Sequence, residues 1–319
     1  MRANSVPTPG TAKRVLVVGE INVDLICQGY HVFPTPGREV LVDDFRMVLG
    51  SASAICAMGL ARLGTPVTFF GKVGDDPTGH FCLDAMRARD IDLTGVVADP
   101  EVKTGVTVAI TSPQDRALVS FLGSIAALSE KDVPRGLFSR ADHLHVSSYY
   151  LQEALRPGVA ALFRDAHAAG LTTSLDPGFD PSERWEPDLV ETLAHVDVFF
   201  PNEVELRALT RIEDPEEAVR RLQRSPTRVV AKLGARGAMA IGDDGRAVHV
   251  PAPAVRVTDT TGAGDSFDAG FLHAWLGGAS LADCLRLGAA CGALSTRGLG
   301  GTATQPDIGE AKALAAATP

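Results

Sequence analysis

The run Asp259-Thr260-Thr261-Gly262-Ala263-Gly264-Asp265 holds residue types that phosphate chemistry uses, in an order that suits it. Glycines at 262 and 264 let the backbone turn tightly and aim free N–H groups above the helix that follows, whose apolar stripe is Phe267, Gly270, Phe271, Ala274 and Trp275. Such a helix end attracts anions, and a phosphate suits it. Asp265, in the first turn, is placed to take a proton from a hydroxyl attacking that phosphate. An ordinary capped helix start is the plainer account, and for Asp265 or Asp268 alone it would be preferred; the paired glycines with their acidic and threonine neighbours favour chemistry. Asn202-Glu203-Val204-Glu205 puts an amide and a carboxylate at i and i+3 on one helix face, where they can orient waters around a hard cation. Asn202 as an N-cap with acid in the first turn explains the same residues equally well. Lys232-Leu233-Gly234-Ala235-Arg236-Gly237 ends an apolar run with a cation and two glycines, which as a generic turn would be unremarkable.

These groups need a scaffold, and the hydrophobic pattern provides one. Arg14 to Gly19 is a short β-branched run ended by glycine, the pattern of a strand covered on both faces in a parallel sheet. The turn-rich stretch 20–49, with Pro34, Pro36 and Gly37, suits small strands and loops. Ala52, Ile55, Cys56, Gly59 and Leu63 fall at helical spacing with Gly64 placed to end the helix, and Val67 to Phe70 resumes as strand. Asp76-Pro77 caps a helix carrying Phe81, Leu83 and Met86. Runs at 106–111 and 118–121 flank a turn at 112–115 and read as a hairpin outside the main sheet. Thereafter strands at 143–146, 171–175, 196–200 and 228–232 alternate with helices at 157–169, near Asp188 and from Asn202. Alternation of this kind predicts an α/β fold with a doubly wound, mostly parallel sheet and right-handed crossovers. Asp243-Asp244-Gly245 reads as a hairpin turn between 238–241 and 247–250, and the C-terminal third as mostly helical. With no repeat or linker dividing it, the chain reads as a flexible tail over 1–12 and one domain over 13–319, with a small β-rich lid from segments near 20–48 and 100–125.

The 319 residues are 45 % hydrophobic and 22 % charged, with 32 Gly and 20 Pro, which excludes disordered, collagenous and coiled-coil classes. Thirty basic against 39 acidic residues leave a net charge of -9, which argues against a broad nucleic-acid surface. Five cysteines without a C-x-x-C pair suit reduced thiols. No apolar run approaches the roughly 18 residues of a membrane span, and Met1 to Arg14 lacks the apolar centre of a signal peptide, so a cytoplasmic protein is expected. Gly74 and Gly79 have P-loop spacing, but His80 stands where Lys is required. His143-x-His145 offers two imidazoles on one strand face; packed histidines explain them better than a zinc pair lacking a third ligand.

Asp259 to Asp265 resembles the C-terminal signature of the ribokinase-like (PfkB) carbohydrate kinases, and the likeness extends in order from Val15 to about Gly301. The resemblance implies a ribokinase-like fold, ATP and Mg2+, Asp265 as catalytic base, and amides of Gly262, Ala263 and Gly264 holding the charge of the transferred phosphoryl group. It implies that Asn202 and Glu205, as an N-x-x-E motif, help place magnesium through water, and that Lys232, Gly234, Gly237 and Gly264 lie beside the nucleotide. Asp24, in Gly19-Glu20-Ile21-Asn22-Val23-Asp24, would bind acceptor hydroxyls, with Gly50 and Ser51 in the turn that enters the helix beneath the substrate. Carbonyls near Asp259 and Thr261, with Arg297-Gly298-Leu299-Gly300-Gly301, resemble a site for a monovalent cation such as K+. The sequence departs from the pattern at Ile55, where most members have an Asn facing the sugar, and at Ile125, where ribokinase itself has Asn. Each change removes an amide, and a buried polar partner left unpaired costs about 1–3 kcal/mol. A deoxygenated or nucleoside-like acceptor therefore fits better than a fully hydroxylated one.

The expected activity is ATP-dependent phosphorylation of a hydroxyl on a sugar or sugar-like molecule. One rival is a nucleoside kinase of the same fold, with Tyr149, Tyr150 or Phe121 stacking on the base. Another is a non-catalytic nucleotide-sensing protein, against which Asp265 and the intact glycine motif speak. In an acidic protein, local amides, Lys232, Arg236 and a metal ion must outweigh the global repulsion of ATP. The expected partners are these small molecules, with no nucleic acid or membrane, and exposed lid strands suit a homodimer.

Overall fold

The computed structural model describes residues 12–30, 32–111, 116–185, 188–223 and 227–318. All but the last residue of the expected tail, and the turn at 112–115, lie outside them. The strands are β1 (Val15–Val18), β2 (Asn22–Gln28), β3 (Asp44–Leu49), β4 (Val67–Phe70), β5 (Lys72–Gly74), β6 (Val97–Asp99), β7 (Gly105–Thr111), β8 (Arg116–Phe121), β9 (His143–Val146), β10 (Thr172–Leu175), β11 (Val198–Phe199), β12 (Arg228–Lys232), β13 (Ala238–Ile241) and β14 (Ala247–Val250). The α-helices are α1 (Ala52–Arg62), α2 (Pro77–Arg87), α3 (Ser124–Ala127), α4 (Val159–Ala168), α5 (Asp188–Thr192), α6 (Glu203–Thr210), α7 (Pro215–Leu222), α8 (Ala263–Leu276), α9 (Leu281–Ser295) and α10 (Ile308–Ala317).

An eight-stranded sheet runs in the order β14-β13-β12-β11-β10-β9-β1-β4 and is parallel from β12 to β4, with the β13–β14 hairpin antiparallel at one edge. Alternate residues of β1 divide between two cores. Val15 and Val17 join α1, α2, α8 and α9, while Leu16 and Val18 join α4 to α7 on the other face. Burial on both faces is why these strands are written as continuous apolar runs. The hairpin from β7 to β8 joins β2 and β3 in a separate sheet, order β3-β2-β7-β8, outside the main one. One face of it leaves Phe45, Met47, Val119 and Phe121 exposed. Neither the β5–β6 pair nor α7 was legible in the periodicity.

Helix α8 is seated by small residues. Gly270 meets Cys291, Gly288 meets Phe267, and a Cβ on Gly292 would come within 2.9 Å of the Ala263 carbonyl, so α9 packs directly beneath the first turn of α8. Across β9 and β10 the face toward α8 is polar. Thr172, His143, Ser174, His145 and Ser147 form one hydrogen-bonded row with contacts of 2.7–2.8 Å, which accounts for both histidines without a metal. Burial pulls His143 down to about 3 and His145 to about 4, so both imidazoles are neutral. All five cysteines are free. Among the described residues no helix is long and apolar enough to cross a membrane.

Candidate active site

Parallel strands end on the same edge of their sheet, and ligands of open α/β sheets bind outside that edge. Here the exits deliver Glu20 after β1, Ser147 and Ser148 after β9, Asp176 after β10, Asn202 after β11 and Lys232 at the end of β12. The N-terminus of α8 abuts this edge. Its N-cap is Gly262, left-handed at φ +73°, so no side chain caps the amides of the first turn. Only glycine fits there: a Cβ would lie 2.7 Å from Gly301 Cα and 3.0 Å from Ile55 Cγ2. The carboxylate of Asp259 staples the turn, accepting from Thr261 N at 2.9 Å, Thr261 Oγ1 at 2.8 Å and Gly300 N at 2.8 Å. The segments expected to form the cation loop are therefore side by side.

Asp265 is half-buried in the first turn of α8. Loss of solvation, and then the charge of Asp176, push its carboxyl up to about 7 against the pull of Lys232; Glu20 and Asp24 add smaller pushes. Asp24 thus lies near enough for its charge to act on Asp265. Its carboxylate accepts from Asn22 Nδ2 at 2.9 Å and packs over Gly50, where a Cβ would strike it at 2.1 Å. Ser51 caps α1 at φ +75° and donates to the Glu20 carbonyl at 2.5 Å. Buried Glu20, whose carboxyl burial pushes up, accepts from Ser53 N and Oγ.

Other expected residues are placed differently. Ile55 and Ile125 are both 3 % exposed. Ile55 packs under Gly262 and Gly301, and Ile125 against Gly105, so both support backbone instead of facing open space. The inference of a less polar acceptor loses its footing, because apolar packing fills the room at both positions. Tyr149 and Tyr150 are buried against each other, ring centroids 5.4 Å apart, and against Arg156; of the three proposed stacking rings only Phe121 is exposed. Asn202 and Glu205 satisfy each other in a capping box, with contacts of 2.7–3.0 Å. Burial, and then Asp176, push the Glu205 carboxyl up to about 8. Gly237, at φ +93°, would place a Cβ 1.9 Å from the Val250 carbonyl, so it serves the turn; Gly234 is exposed, and Arg236 pairs with Glu203.

Lys232 is not a free cation. Its ammonium lies 2.5 Å from Asp176 Oδ2 and 3.2 Å from Asp268 Oδ2, and a Cβ on Gly264 would come within 3.3 Å of it. Burial opposes its charge, but Asp176, Asp268 and Glu205 outweigh that and hold it protonated. Asp176 is not singled out by the sequence, and Asp268 reads there as an acid of an ordinary helix start. The available signal was a carboxylate inside the apolar stripe of α8 and a lysine ending a buried strand.

The whole of this architecture has relatives. Residues 12–308 match the pfkB family carbohydrate kinase. An ATP-dependent ribose-1-phosphate kinase of Halopiger xanaduensis is 34 % identical over 298 residues, 92 % of this chain and 95 % of that protein. A 2-dehydro-3-deoxygluconokinase of Bacillus subtilis is 31 % identical over 273 residues, 81 % of this chain and 84 % of that protein. The structure of Arabidopsis thaliana ribokinase complexed with ribose and ATP superposes with a TM-score of 0.82 at 25 % identity, covering 96 % of this chain and 99 % of that one. With the family match spanning nearly all of the doubly wound domain, the chain belongs to the pfkB family of carbohydrate kinases.

Proposed function

We propose that the chain transfers the γ-phosphoryl group of ATP to a hydroxyl of a sugar or sugar derivative, with Asp265 as the base. The observation that carries this reading is a half-buried carboxyl, poised at about 7, in the first turn of a helix whose opening amides no side chain caps. The amides of Gly262, Ala263 and Gly264 meet the negative charge that grows on the phosphoryl group, and Asp265 takes the proton of the attacking hydroxyl. Asp24 orients the acceptor from the opposite side. The four-stranded sheet is the lid, whose closure excludes water as a competing acceptor. Its exposed apolar face and free edges also suit pairing of two copies in a homodimer.

Magnesium would supply charge neutralisation on the ATP phosphates. Asn202 and Glu205 do not fit it as direct ligands, because each spends its oxygens on the other and Glu205 is 3 % exposed. A potassium ion would be held by carbonyls around Asp259 and Thr261 beside Gly300, fixing the turn. Replacing potassium with tetramethylammonium is then expected to lower turnover severalfold; equal rates in both salts would remove that cation from the reading.

The test is ADP release with ATP, Mg2+ and a panel of D-ribose, D-fructose, ribose 1-phosphate, 2-dehydro-3-deoxygluconate and adenosine. The two sequence relatives are named for sugar derivatives, and the buried tyrosines disfavour a nucleoside. Turnover is expected with a sugar and not with adenosine. Tight ATP binding with no release from any member of the panel would favour a nucleotide sensor.

A further inference from the structure

Lys232 ends β12, Asp176 follows β10, and Asp268 lies one turn beyond Asp265 on α8, so the ammonium joins three separate elements behind the glycine turn. The cluster is withdrawn from water: the side chains of Lys232, Asp176 and Asp268 are 11 %, 7 % and 0 % exposed. Oxygens of Asp176, Asp265 and Asp268 lie within 4.8 Å of one another, a spacing that would serve a metal ion, but the ammonium already stands against two of the three. Asp265 and Asp268 are three residues apart and share a helix face, so the groups that hold the second carboxyl border the first. We propose that Lys232 is a positioning residue: by clamping Asp268 to Asp176 it fixes the direction of the Asp265 carboxylate and the charge which that carboxylate faces. The inference rests on the reading of Asp265 as the base.

The charges support it. Burial and then Asp176 push the Asp268 carboxyl up against the pull of Lys232, while, against burial, Lys232 holds the Asp176 carboxyl down. The Asp176–Lys232 ion pair of the clamp thus stands beside Asp265. Glu20, Asp24 and Glu205 face Asp265 from the exit of β1, from β2 and from α6, and the Cys56 thiol faces it from α1. Of the two clamp charges, Asp176 has the larger influence on Asp265.

The test removes the ion pair as a unit. Deleting Lys232 alone strands a buried charge, whereas replacing a whole buried pair by neutral groups of similar volume is often neutral for stability. In Asp176→Asn/Lys232→Met the Asp265 carboxyl is followed by 13C NMR of Asp-labelled protein, assigned through Asp265→Asn, and turnover is measured with the best sugar of the panel above. The clamp predicts an inflection at least about half a pH unit below wild type, because the dominant negative neighbour has gone. It also predicts kcat lowered about 10- to 100-fold with KM for ATP within about threefold, because the base is no longer aimed. An unmoved inflection, or kcat within threefold of wild type, overturns the proposal. The NMR arm needs no acceptor, so it reports even if every sugar fails. If Asp265→Asn retains turnover, the base assignment has failed; if that variant is dead while the double variant matches wild type, only the clamp has.

Discussion

Asp265→Asn is expected to lower kcat by about 10²–10⁴-fold, the range a positioned general base contributes. The amide keeps the size of the carboxyl but cannot accept the acceptor's proton. ATP affinity, measured by calorimetry, should change little, because the turn amides and the helix end remain. The wild-type profile carries a second mark of the same residue. As the proposed base, Asp265 acts as the carboxylate, so kcat/KM should fall as pH drops through about 7, to which loss of solvation and the charge of Asp176 push the half-buried carboxyl. A variant that turned over at near the wild-type rate would move the base elsewhere.

The second large effect is expected at Gly262. Gly262→Ala forces a side chain into the left-handed region, at about 1–2 kcal/mol. It also drives a Cβ to 2.7 Å from Gly301 Cα and 3.0 Å from the Gly301 carbonyl. That backbone has little freedom to retreat, since Asp259 holds Gly300 and Ile55 fills the space below. Displacing packed atoms adds about 1–3 kcal/mol. The melting temperature should fall by several degrees, and kcat by about 10²-fold, because the amides proposed to meet the phosphoryl charge are re-aimed. Gly245→Ala is the control. It too has a positive φ, +78°, but a Cβ there meets nothing within 4 Å, so only the conformational cost applies. Equal behaviour of the two variants would show that the turn's fit against residue 301 does not matter.

What could be read in the sequence follows from range. β1, β12 and the β13–β14 hairpin are legible because burial on two faces, or a turn glycine such as Gly245 at φ +78°, writes itself into a few adjacent residues. Asp76 is legible for the same reason: its side chain accepts from Gly79 N three residues on, at 2.8 Å. The partners of Lys232 lie 56 and 36 residues away, so no local spacing announces them. Ile55 misled for a related reason. A motif fixes where an Asn would stand in other members, but not that an isoleucine there would turn beneath Gly262 and Gly301. The capping box at Asn202 and the water-orienting site predicted for it use the same residues, and only the fold could tell which oxygens were already taken.

The polar row from Thr172 to Ser147 has a directional consequence. Each neutral imidazole carries one N–H and one bare nitrogen, and Ser174, with one proton, stands between two imidazole nitrogens. It must give to one histidine and receive from the other. Fixing a single proton therefore fixes all of them, and the row behaves as one arrow with two senses, reversed only if every member turns together. It runs through the sheet from the start of β10 to the exit of β9, and its head or its tail lies at the edge where Glu20, Asp176 and Lys232 emerge.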